Sequence, residues 1–138
     1  MIEITLNRRD VWENPQQAFD SFRKKPFFKQ WSDEILQDYI DSGLKKTVDG
    51  RWKLTYSKEW EAHFFGIAPK VWMPLREIDI PVVGIRGETS NTLTKSNWKK
   101  WQRLRPDHRL IERQNKGHLI PFEEPNELAR IIKQELNS

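Results

Sequence analysis

Apolar positions in the first half of the chain recur with a helical period. Asn14-Pro15 opens one such segment, with Ala18, Phe19 and Phe22 on one side and Pro26 as its end. Proline suits an early helical position, where its missing N–H has no partner to lose. Ser32-Asp33-Glu34-Ile35 opens a second, with Ser32 as N-cap and Ile35, Leu36, Tyr39 and Ile40 as the apolar stripe. Gly43 stands where a C-cap glycine is expected. Asp49-Gly50 reads as a turn and Arg51 to Tyr56 as one short strand. Ser57 can cap a further helix bearing Trp60, Phe64 and Phe65, and Pro69 and Pro74 are expected to break helical structure beyond it. Residues 1–74 therefore read as helices with little strand.

The pattern changes after Ile78. Pro81 to Arg86 is a short, nearly unbroken apolar run, as in a parallel strand covered on both faces. Lys95 to Leu104 has helical spacing, with Trp98, Trp101 and Leu104 on one side. Pro106-Asp107 is a turn, His108 to Gln114 a second strand, and Pro125 to Leu136 a helix with Leu128, Ile131, Ile132 and Leu136 facing inward. Strand, helix, strand, helix is the order of a parallel pair with a helical crossover. Two parallel strands make a small sheet, since sheets typically hold about five or six. The pattern implies neighbours that the sequence does not offer.

Composition narrows the picture. The chain has 138 residues, 36% hydrophobic and 32% charged, with seven Trp and seven Phe supplying much of the core material. It has no cysteine, which excludes disulfides and thiolate metal sites. No apolar run approaches the roughly 18 residues that span a bilayer, and the N-terminus has no apolar leader segment, so no membrane partner is expected and a cytoplasmic location is the default. The net charge of +4 is modest. Lys99-Lys100 and Arg103, interleaved with Trp98 and Trp101, could form a base-stacking surface, but no nucleic-acid-binding motif accompanies them. His63 and His108 are read as structural or exposed. Three scattered histidines, His63, His108 and His118, give no metal site.

The candidate chemistry lies in Asn115-Lys116-Gly117-His118-Leu119-Ile120-Pro121-Phe122-Glu123-Glu124-Pro125. A histidine on a glycine-hinged loop, after a strand and before a helix, suits a general base. Upstream, Ile80-Pro81-Val82-Val83-Gly84-Ile85-Arg86-Gly87-Glu88-Thr89-Ser90-Asn91 is a second strand-then-loop unit. Together these stretches resemble the last two strand units of an α/β-hydrolase. The series Arg8-Arg9-Asp10-Val11-Trp12, Ala18-Phe19, Phe27-Phe28, Trp31, Tyr39, Gly43-Leu44, Asp49-Gly50 and Glu61-Ala62 is similar to the helical cap of bacterial members. The resemblance implies an α/β fold that is a partial α/β-hydrolase: a cap-like region over 1–74, then two parallel strands with flanking helices over 75–138. It implies hydrolysis of an ester or similar acyl bond through a Ser-His-acid triad, with no cofactor and no metal, on a small apolar or ester-like substrate.

It also implies His118 as the triad base, and it places the triad acid at Asn91. Family members often read Gly-Glu-x-Ser-Asp where this chain has Gly87-Glu88-Thr89-Ser90-Asn91. Asparagine can orient an imidazole, but it cannot supply the charge that stabilises imidazolium. Asn91 can equally be only a turn residue, and Glu88 or a carboxylate outside the sequence can be the acid. Gly87 is expected to permit a tight turn. None of Ser21, Ser32, Ser42, Ser57, Ser90, Ser96 and Ser138 lies in the Gly-x-Ser-x-Gly elbow, and the oxyanion-hole loop is missing. The expectation is a truncated or split hydrolase, inactive alone and prone to self-association. A non-catalytic binding or assembly module built on the same fold is the alternative, and a nucleic-acid binder the third. The aromatics Trp12, Phe19, Phe22, Phe27, Phe28 and Trp31 could line an acyl pocket, but helix packing is the simpler role.

Overall fold

A computed structural model describes residues 2–67 and 70–137, so the expected helix break at Pro69 and the terminal Ser138 lie outside the described residues. The chain divides into two compact units, 1–69 and 70–138.

The first unit holds α1 (Ile2–Leu6), β1 (Val11–Trp12), α2 (Pro15–Arg23), α3 (Asp33–Gly43), β2 (Leu44–Lys46), β3 (Trp52–Leu54) and α4 (Lys58–Gly66). One 3-10 turn covers Pro26–Phe28. Both expected serine caps are present, and Asn14 caps α2 as well. The side chains of Asn14, Ser32 and Ser57 accept from the amides of Gln17, Ile35 and Trp60, each satisfying a donor the helix itself leaves unpaired.

The strand content departs from expectation. Instead of one strand there is an antiparallel sheet of order β1-β3-β2, with β3 central. Trp12 and Lys46 both face Trp52 across it. Strands of two and three residues are too short to show alternation. Gly43 is not a left-handed cap, because Gly50 is the one positive-φ glycine among the described residues. Leu44 leaves α3 directly in extended conformation, and the Gly43 carbonyl accepts from Thr55 N–H at 2.8 Å. Strand pairing thus does the work of a cap.

The core of this unit is aromatic. Trp12 meets Phe22 at 5.1 Å between ring centres, Phe28 meets Trp31 at 4.9 Å, and Trp31 meets Tyr39 at 5.5 Å, all edge-on. Edge-to-face contact sets the positive rim of one ring against the negative face of the other. Leu36 and Ile40 of α3 are fully buried. Phe19 sits half-buried under the Arg23 guanidinium, and Phe27 is exposed. Four of the six candidate pocket aromatics, Trp12, Phe22, Phe28 and Trp31, are therefore packing residues. Trp60, Phe64 and Phe65 of α4 are exposed.

The second unit runs α5 (Trp72–Glu77), β4 (Val83–Gly87), α6 (Lys95–Leu104), β5 (Arg109–Arg113), α7 (Ile120–Glu123) and α8 (Pro125–Leu136). Pro74 lies inside α5 and does not break it. It occupies the first turn, where amides have no intrahelical acceptor. β4 and β5 are parallel, in register from Val83↔Arg109 to Gly87↔Arg113. β4 starts two residues later than expected, although the Val82 carbonyl still accepts from Arg109 N–H at 3.0 Å. α6 covers the Gly84 face of β4. A Cβ on Gly84 would come within 3 Å of both Trp101 and Leu110.

The inward face of α8 is narrower than expected. Ile131 is buried and Leu128 half-buried, but Ile132 and Leu136 are exposed. With Val83 and Ile85 they frame a cleft of about 380 Å³ beside β4. These side chains have the periodicity of core residues, yet no further strand covers them among the described residues.

Candidate functional site

The carboxyl ends of β4 and β5 lie side by side, and both following loops are tied there. Glu88 N–H donates to the Arg113 carbonyl at 2.9 Å, continuing the ladder one step past β4. Thr89 then clamps the second loop: its amide and hydroxyl both donate to the Lys116 carbonyl, at 2.9 and 2.8 Å. The Glu88 carboxylate accepts from Asn115 N–H at 2.9 Å.

The expected turn is present, the Gly87 carbonyl accepting from Ser90 N–H at 3.1 Å, but it is not what requires glycine at 87. Gly87 has no positive φ. A Cβ there would collide with the carbonyl oxygens of Gly117 and Lys116. The residue lets two backbones approach, as glycine does where no side chain fits. The sharp bend of the histidine loop is made at Asn115, with φ +57°, not at Gly117. Asparagine tolerates that conformation better than most residues. Gly117 N–H donates to the Glu123 carboxylate at 2.7 Å, so the short α7 reaches back to hold the loop. Arg113 pairs with Glu124 at 2.7 Å, fixing the entry to α8.

Beneath the loops lies a buried cation. Arg86 is 2% exposed. It pairs with Glu112 at 2.5 Å, donates to the Glu88 carbonyl at 2.9 Å, and lies over the Trp98 ring at 5.9 Å. A buried guanidinium is tolerated when a carboxylate, a carbonyl and a π-face replace its water.

His118 projects from this platform with an exposed ring. Its Nδ1 lies 3.3 Å from the Ser90 hydroxyl, which also accepts from Leu93 N–H at 3.1 Å. Ser90 is buried, 7% exposed. Asn91 is exposed, and its side-chain oxygen accepts from the Thr92 hydroxyl at 3.4 Å. The loop thus brings Ser90 to His118, while Asn91 points to its own neighbour. Ser90 Oγ lies at Nδ1, whereas a triad serine gives its proton to Nε2, so this Ser–His pair does not have the arrangement of a nucleophile with its base.

Ser90, Thr89 and Glu123 have roles the sequence reading did not assign. The local signal is faint, because which of two adjacent loop residues faces inward depends on the turn. Of the other histidines, His63 is exposed on α4. His108 is buried and accepts from the Trp101 indole at 3.0 Å through Nδ1. Indole is only a donor, so the neutral ring carries its proton on Nε2. Among the described residues there is no cluster of side chains able to hold a metal, and no helix is long and apolar enough to cross a membrane.

This geometry, a parallel pair with a crossover helix and a histidine loop at its carboxyl end, is the fold of the C-terminal half of an α/β-hydrolase. The chain is similar to a solved E-2-(acetamidomethylene)succinate hydrolase, with TM-score 0.80 and 18% identity over 93% of this chain and 47% of that one. It is similar to a peroxisomal α/β-hydrolase from Saccharomyces cerevisiae, with TM-score 0.79 and 20% identity over 96% of this chain and 37% of the other. An esterase from Mycobacterium tuberculosis gives TM-score 0.73 and 15% identity over 99% and 47%. The chain therefore spans less than half the length of these structures. No family model matches the sequence, and no curated protein matches it.

Proposed function

We propose that this chain is the base-bearing part of a serine hydrolase acting on an ester or similar acyl bond of a small apolar substrate. The observation that carries the reading is His118. Its exposed ring stands at the carboxyl ends of two parallel strands, where open α/β folds place their chemistry, on a loop held by Thr89, Glu88 and Glu123. The similar structures named above are hydrolases, which supports the same reaction class. The 138 residues contain no nucleophile elbow, so serine and oxyanion hole come from polypeptide outside this sequence. Without them the chain is inactive, because a base with nothing to activate does no chemistry. The absence of cysteine fits a cytoplasmic setting.

The test is complementation. The chain alone should not turn over a nitrophenyl ester. Joined to an elbow-bearing N-terminal half of an α/β-hydrolase, it should give slow hydrolysis that falls roughly 10²–10⁴-fold in His118→Ala. Asn91→Asp should raise kcat, by up to about 10⁴-fold if the new carboxylate reaches the imidazole. Activity that survives His118→Ala sinks the reading. The apolar cleft of Val83, Ile85, Ile132 and Leu136 favours the second reading, an assembly module. Stable association with a partner without hydrolysis would select it.

A further inference from the structure

We infer that the Ser90 hydroxyl donates to His118 Nδ1 and so holds the imidazole in the Nε2–H tautomer. Its significance rests on His118 being the base; the tautomer itself does not. The direction follows from counting donors. Ser90 Oγ accepts from the Leu93 amide at 3.1 Å, and an amide N–H can only donate. The hydroxyl has one hydrogen of its own. Ser90 is 7% exposed, so that hydrogen has little access to water and needs an acceptor. Nδ1 of His118, at 3.3 Å, is the acceptor its hydrogen bonds provide. The opposite arrangement, Nδ1–H donating to Oγ, would give the oxygen two donors and leave its own hydrogen unsatisfied.

Ser90 is thus a positioning residue with a chemical consequence. A triad base keeps Nδ1–H toward an acid and leaves Nε2 free to take the serine proton. Here the outward nitrogen, Nε2, carries the proton at rest. Ser90 holds the ring in place but in the idle form. A carboxylate arriving at Nδ1 can only accept there, and would reverse the tautomer.

The experiment is ¹⁵N NMR of the isolated chain, at a pH where His118 is neutral. Nδ1 should show a pyridine-type shift displaced by an accepted hydrogen bond, with Nε2 pyrrole-type. Free imidazole already favours Nε2–H, so the diagnostic is the comparison of variants. In Ser90→Ala the displacement should vanish and the minor Nδ1–H form should return. Ser90→Thr, which keeps the hydroxyl, should restore the wild-type pattern. A pyrrole-type Nδ1 in the wild type overturns the inference, as do identical spectra for wild type and a folded Ser90→Ala. Should Ser90→Ala fail to fold, the wild-type and Ser90→Thr spectra still decide the direction. Failure of complementation would leave these spectra unchanged, so the two readings fail separately.

Discussion

At Gly87 the β4 backbone meets the carbonyl groups of Lys116 and Gly117 with no room for a methyl group. The obstructing atoms are backbone, held by the Thr89 and Glu123 hydrogen bonds, so they cannot swing away as a side chain would. Gly87→Ala should cost about 1–3 kcal/mol, the usual range for overpacking. It should also shift the His118 resonances. Gly117 is the useful contrast. A Cβ there first meets the end of the Glu123 side chain, which can move, so urea denaturation should show Gly117→Ala to be milder. A Gly87→Ala variant as stable as wild type would refute this account of the loop. Gly87 and His118 both stood out in the sequence, but the reason for Gly87 did not. Close approach of two segments is invisible in either one, and Ser90 escaped notice for the same cause.

Helix α5 is six residues long and lacks a side-chain N-cap, so its order rests on other contacts. Arg105 supplies one, donating to the carbonyls of Leu75 and Ile78 at 3.1 and 2.5 Å. A guanidinium at a helix C-terminus satisfies unpaired carbonyls and opposes the negative end of the dipole. Asp107 fixes that guanidinium through paired hydrogen bonds of 3.0 and 2.7 Å. Arg105 in turn holds the Asp107 carboxyl down to about 2. Because the folded value lies below the ordinary one near about 4, the contribution is present above that ordinary value. It fades as pH falls toward about 2. Asp49 is held at about 2 by Thr47 and Arg51, and has the same sign. Hydrogen exchange of α5 amides should therefore be steady from neutral pH down to about 5 and, after correction for intrinsic rates, quicken below about 3. Arg105→Ala should show the loosened state already at neutral pH. Elements with several turns, such as α6 and α8, were legible from periodicity. The two- and three-residue strands β1 and β2 were not, since their pairing partner supplies the information.

At the scale of the molecule, the cleft beside β4 has the side chains of an interior and the exposure of a surface. Val83, Ile132 and Leu136 are 41%, 44% and 81% exposed. Apolar surface next to an unpaired strand edge promotes association. The chain should sediment as concentration-dependent oligomers, and Ile132→Asp should shift it toward monomer; a monodisperse wild-type monomer at high concentration would contradict this. The ties on the histidine loop have a different consequence. Thr89 to Lys116, Glu88 to Asn115 and Glu123 to Gly117 all lie within residues 70–138. If His118 is the base, as proposed, the entropy of ordering it is spent when that unit folds, not when a nucleophile arrives. In a mixing experiment, hydrolysis should rise in step with docking of the elbow-bearing half. A lag between docking and turnover would mean that the loop is remade on assembly.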